Sequence, residues 1–222
     1  MPSRHTMLLL LLLAPQIAAL VTSSTARRRL RLAGADDLAQ VARLQLDTFD
    51  PAPETPPPKP LFGGLFGGGG GGGQLGREAR AERLTAELAE RVAKGSDLWV
   101  VEAEAETALE LLGTADLSEQ EMLLPTHGIS EGLYLSSMAV DPSSRRRGIG
   151  RELLLAAEQR ASERDAEGIW LHVERGNEPA IALYEGNGFK RMPNTPMYEA
   201  FTTALKVAQK EPLLLYKLLG TS

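Results

Sequence analysis

Between residues 132 and 173 the spacing of apolar residues changes character twice, and this limits the fold more than any other feature of the chain. Residues 132–140 read as a strand closed by Asp141-Pro142. A helix follows at once, with Ile149, Leu153 and Ala156 on its buried side as far as Arg164. The β-rich run Ile169-Trp170-Leu171-His172-Val173 comes next. A strand, a helix and a strand in that order make a crossover between neighbouring strands, which commits the chain to a mixed α/β fold.

The flanking sequence supplies the other elements of one domain over residues 30–218, with a tail at 219–222. Residues 30–32 read as a first strand, and Asp36 is placed to cap a helix whose Leu38, Val41 and Ala42 share a face and which ends near Phe49. A second helix is expected over 77–94, where Ala81, Leu84, Leu88 and Val92 form a stripe and Gly95 stops it. Strands are expected at 98–101 and 109–113, a short helix at 178–185, and further strand at 188–190 and 213–218. Residues 50–76 interrupt this order with six prolines between Pro51 and Pro60, a duplicated Leu-Phe-Gly-Gly carrying Phe62 and Phe66, and an unbroken glycine run at 67–73. Such a segment reads as a flexible insertion.

The first 29 residues read as a targeting leader. Arg4 and His5 precede an apolar run at 7–14 and the small pair Ala18-Ala19, the order of a signal peptide. The hydroxylated, basic, acid-free stretch that follows, through Arg27-Arg28-Arg29, has the composition of an organelle transit peptide. The tandem resembles the bipartite leaders of algae with complex plastids, so plastid delivery is the expectation and the secretory pathway the alternative. The apolar run is too short to cross a bilayer, which takes roughly 18 residues, so no stable membrane span is expected in the mature chain.

Composition narrows the chemistry. The chain has no cysteine, which excludes a thiol nucleophile, thiolate metal sites and disulfides. Its formal net charge is -5, yet residues 1–35 hold five arginines and no acid, so the rest carries -10. An acidic body is not expected to bind nucleic acid. His5 and His127 lack the spaced companions of a metal site, and no catalytic metal is expected. Nothing in the sequence fixes an oligomeric state.

Arg145-Arg146-Arg147-Gly148-Ile149-Gly150-Arg151 stands between the long strand and the amphipathic helix. There, unpaired amides and the positive helix end can hold a pyrophosphate. The lysine of a P-loop and the second glycine pair of a dinucleotide fingerprint are missing, so a different diphosphate is better served. Arg145-x-x-Gly148-x-Gly150 resembles the acetyl-CoA loop of the GNAT acetyltransferases. Asn177-x-x-Ala180-x-x-Leu183-Tyr184 followed by Asn187-Gly188-Phe189 is similar to that family's downstream motif. The likeness is specific over residues 132–190 and loose elsewhere.

The resemblance implies a single GNAT-like domain with a mostly antiparallel sheet flanked by helices, and acetyl-CoA as cosubstrate. It also implies that the backbone of Met138, Ala139 and Val140 pairs with the pantetheine arm, which requires the two central strands to splay. Tyr184 is implied as the donor to the departing thiolate, and Asn177 as both helix cap and cofactor contact. Many relatives carry a glutamate midway along the strand before the loop, where this chain has Tyr134. Tyr134 with His172 on the next strand resembles the N-terminal protein acetyltransferases, in which such a pair engages the amine through water. Glu131 and Glu174 are spare carboxylates. Protein α-amino groups, with lysines as a further acceptor, are the expected substrates. Small amines are one alternative and a noncatalytic acetyl-CoA or protein binding module the other.

Overall fold

The computed structural model describes residues 28–49, 72–104, 109–119, 132–192 and 212–220. His5, His127, Glu131, Phe62, Phe66 and all of the expected leader but Arg28 and Arg29 lie outside them. Among the described residues, seven strands form one sheet: β1 (Arg28–Leu32), β2 (Asp97–Glu104), β3 (Leu109–Glu119), β4 (Gly132–Val140), β5 (Gly168–Glu174), β6 (Lys190–Arg191) and β7 (Pro212–Leu218). Their order is β1-β2-β3-β4-β5-β7-β6. Helices α1 (Leu38–Phe49) and α2 (Gly72–Ala93) lie between β1 and β2 in sequence, α3 (Ile149–Glu163) between β4 and β5, and α4 (Glu178–Gly186) after β5. Every pairing is antiparallel except β4 with β5, the two strands that α3 joins. This is the mixed, mostly antiparallel single domain expected from the sequence.

Alternation along the strands divides the core between the two faces of the sheet. Val101, Leu112, Leu133 and Leu135 pack with Ile149, Leu153, Leu154 and Ala157 of α3. Leu98 and Val100 turn the other way, onto Leu38 and Val41 of α1 and Leu88 of α2. Burying each such Leu, Ile or Val contributes about 1.5–3 kcal/mol before entropy is counted. A third cluster, Trp170, Met192 and Leu214 with Tyr134 and Tyr216 against it, lies beside β5 and β7.

Several boundaries differ from expectation for physical reasons. β1 begins at Arg28, two residues before the expected domain start, because Arg28 to Leu32 pair in register with Ala103 to Trp99. β3 continues past Gly113 to Glu119, and its polar Thr114 and Asp116 are buried rather than in a loop. Thr114 is satisfied there by donating its hydroxyl to the Trp99 carbonyl at 2.9 Å. α2 starts at Gly72, inside the glycine run. The carboxylate that closes the start of the first helical segment is Asp37, not Asp36: it accepts the Gly34 N–H at 2.6 Å and an Arg31 guanidinium at 2.6 Å.

Candidate active site

The site begins where β4 leaves β5. The two strands pair only from Gly132 to Tyr134, matched to Gly168 to Trp170, although both run on for several residues. The cause is visible on the other edge of β4. Thr114 of β3 pairs with Ala139, but Asp116 pairs with Ser136, so one residue of β3 faces two of β4. This is a β-bulge at Ser137 and Met138, with Ser137 in the left-handed region at φ 52. It bends the upper half of β4 away from β5 and leaves the backbone of Met138, Ala139 and Val140 unpaired with that neighbour.

The upper mouth of this fork is the basic turn. Asp141 anchors it by accepting the Ser143 N–H at 2.9 Å, and its own N–H donates to the Leu112 carbonyl at 2.9 Å. Arg145 donates to the Val140 carbonyl at 3.3 Å, and Arg28 of β1 donates to the Arg147 carbonyl at 2.8 Å. Arg146 and Gly148 are left-handed, at φ 62 and φ 83. Backbone of this kind curls successive amides into an anion-binding concavity. The first helical bond of α3 runs from the Glu152 N–H to the Gly148 carbonyl, so the amides of Ile149, Gly150 and Arg151 precede it. No side chain caps them.

The two glycines of the turn act differently. A Cβ on Gly148 would meet nothing within 4 Å, so that glycine is required by its backbone angle and leaves open space before the amides. A Cβ on Gly150 would stand 3.0 Å from Leu183 Cδ2, so that glycine lets α4 approach the first turn of α3.

Below the bulge the site is made of side chains. The Tyr134 hydroxyl and His172 Nδ1 are 3.2 Å apart, with ring centroids at 5.8 Å. Burial pushes the Tyr134 phenol up and the His172 imidazolium down, so at neutral pH the tyrosine is protonated and the histidine neutral. Tyr184 of α4 is 7% exposed and packs on Phe189 at 5.8 Å. Its phenol is also pushed up, chiefly by burial and further by the neighbouring Tyr134. Tyr184 belongs to the same apolar cluster that takes Met138 and Val140. Asn177 caps α4, its Oδ1 accepting the Ala180 N–H at 3.2 Å, with Pro179 in the first turn.

The fold therefore brings Tyr134, His172 and Tyr184 to one fork and stations the basic turn, residues 145–151, at its mouth. Glu174 ends β5 and is exposed. Sequence reasoning missed Asp116, which is 1% exposed and 2.7 Å from an Arg91 Nη1, and Arg28, which braces the turn. The signal for Asp116 was an acid between Ala115 and Leu117 in a strand-forming run. Among the described residues, no three His, Asp or Glu are grouped to hold a metal ion.

Comparison with known proteins gives many likenesses, among them the following. Over 64 residues the chain is 44% identical to the ribosomal protein bS18 alanine N-acetyltransferase of Escherichia coli strain K12, covering 29% of this chain and 43% of that one. Over 63 residues it is 36% identical to a mycothiol acetyltransferase of Thermomonospora curvata, covering 28% and 21%. The matches thus span less than half the length of these relatives. The fold is similar to that of the PaiA N-acetyltransferase of Thermoplasma acidophilum in complex with coenzyme A, with a TM-score of 0.55 at 16% identity over 86% of this chain and 99% of the other. The sequence pattern of the Acetyltransferase (GNAT) family matches residues 74–189, more than half of the chain and all of the fork, and it is to this family that the protein belongs.

Proposed function

We propose that this protein is an acetyl-CoA-dependent N-acetyltransferase whose acceptors are the α-amino groups of protein chains. The observation that carries the reading is the Tyr134–His172 pair, held 3.2 Å apart where β4 parts from β5. The described residues fit the cosubstrate: three amides that no side chain caps follow Gly148, beside which there is open space, and Arg145, Arg146, Arg147 and Arg151 are exposed around them. Bound there, acetyl-CoA supplies an activated acetyl thioester. The unpaired edge of Met138, Ala139 and Val140 would align its arm as an added strand, and an amide on that edge would polarise the thioester oxygen.

Each side chain then has a task set by its surroundings. Neutral His172, with Tyr134, draws a proton through water from the incoming ammonium. Tyr184 keeps its proton at working pH and donates it to the departing thiolate. Asn177 fixes the helix that aims Tyr184 and contacts the cofactor. Holding amine and thioester together supplies much of the acceleration, and no covalent enzyme intermediate is needed.

The alanine N-acetyltransferase relative supports a protein amino terminus as acceptor. The mycothiol acetyltransferase relative supports a second reading, a small-molecule amine as acceptor. The leader expected at 1–29 makes the plastid the proposed place of action. Incubating the purified chain with acetyl-CoA, a peptide library and a set of free amines, then mapping acetyl groups by mass spectrometry, tests the assignment. Acetylated α-amines are the expected product. Acetyl-lysine alone or acetylated small amines alone would replace the acceptor, and cofactor binding without turnover would reduce the protein to a binding module.

A further inference from the structure

Acetylation of an amine leaves a proton to dispose of. The N–C bond forms and the C–S bond breaks, and an ammonium acceptor gives up two protons on becoming an amide. One balances the proton that Tyr184 passes to the thiolate; the other must reach solvent in every cycle. Tyr134 and His172 are only partly accessible, so the path out is a structural question.

A cavity of about 610 Å³ opens beside the lower half of β4. Tyr134 and Ser136 line it from β4, Ser118 and Glu119 from β3, Arg91 and Lys94 from α2, together with Ser96 and Arg164. Tyr134 therefore belongs both to the pair at the fork and to the cavity wall. With charged and hydroxyl-bearing residues along its walls, a space of this size admits a chain of waters. Behind the wall formed by Arg91, Ser96 and Ser136 lies the Asp116 carboxylate, the register partner of Ser136 immediately before the bulge. At the rim stands Glu119, whose side chain is 83% exposed.

We propose that this cavity is the exit for the proton released in each turnover, and that Asp116 is the carboxylate that takes it up before it passes to solvent at the Glu119 rim. The inference rests on the acetyltransferase reading. Asp116 is suited to such exchange because burial raises its carboxyl above the ordinary range and the nearby Asp97 adds to that. Arg91 and the hydroxyls of Ser96 and Ser136 pull the other way. The remaining charges around it are Lys94 of α2, Glu119 of β3 and Arg164 after α3, the last held 2.6 Å from Asp97 alongside Arg160 at 2.8 Å. Tyr134 and His172 complete the titratable groups on the fork side. Asp116 touches no substrate in this scheme; it is a positioning and relay residue acting through Tyr134.

Asp116→Asn in the full chain tests this. The expected result is a kcat lowered about tenfold with the KM for acetyl-CoA unchanged, and a rate restored as imidazole is added to replace the missing base. The acid limb of the pH profile should also move, since the variant has lost a carboxyl that burial raises above its ordinary range. A wild-type rate, or a slow rate that imidazole leaves unchanged while the melting temperature falls, would overturn the proposal in favour of a structural pin beneath the bulge. Ser136→Ala decides the matter if the first variant fails to fold: a slowed, imidazole-restored turnover supports the path and an unaltered rate refutes it. Absence of acetylation by the wild-type chain would sink the function itself, whereas an active wild type with an equally active Asp116→Asn sinks only the exit.

Discussion

Above the bulge in β4 the site is built from backbone, and below it from side chains that titrate. From Met138 to Arg151 the working parts are an unpaired strand edge, two left-handed residues and three uncapped amides. From Tyr134 down to Asp116 they are a phenol, an imidazole and a carboxylate, each moved from its ordinary ionisation by burial. The difference follows from the ligands each end would meet. A diphosphate has fixed charge and is served by fixed dipoles, which need no proton and are indifferent to pH. An amine must change its protonation state to react, so its surroundings must trade protons too.

Substitutions that exchange the logic of the two ends test this contrast. Gly148→Glu has the largest expected effect, since it places a carboxylate before the amides meant for an anion. Repulsion of ~4 kcal/mol at close range would weaken acetyl-CoA binding about a thousandfold by calorimetry. Gly148→Ala, which keeps the backbone strain without the charge, should lose far less. Equal losses in the two variants would assign the turn a conformational role instead.

Tyr184→Phe removes a proton donor and leaves the amides alone, so kcat should fall by about a hundredfold while acetyl-CoA affinity stays level. Weaker binding at full kcat would show that the ring merely packs on Phe189. The smallest effect belongs to Asn177→Ala, which should cost about 1 kcal/mol in urea unfolding through loss of the α4 cap. Asn177→Asp keeps an oxygen for the Ala180 amide and should retain that stability. If it also retains full cofactor affinity, the side chain is a cap and nothing more.

The upper end was the legible one. Arg145-x-x-Gly148-x-Gly150 and the Asn177 cap are local, set by a few residues whose backbone needs are written in their own types, and α3 announces itself through Ile149, Leu153 and Ala156. The lower end was half legible. Tyr134 and His172 were found by resemblance, but Asp116 gains its partners from α2, the turn before β2, and β4, and no spacing along the chain records that meeting. The bulge itself carried no glycine to mark it, because Ser137 takes the left-handed angle and only the register against β3 reveals the extra residue. The start of α2 within the glycine run was missed for the opposite reason, since local propensity argues against a helix there.

That extra residue also inverts the strand's parity. Leu133 and Leu135 point into the α3 core before it, and Met138 and Val140 pack there after it, so odd positions hand over to even ones at Ser137. Removing Ser137 alone would restore strict alternation with Met138 and Val140 still on the α3 side, but without the extra residue that bends β4 away from β5. A one-codon deletion would thus leave the faces of β4 intact while closing the gap into which the cofactor arm would fit, and length at this point, more than residue identity, is what the site must preserve.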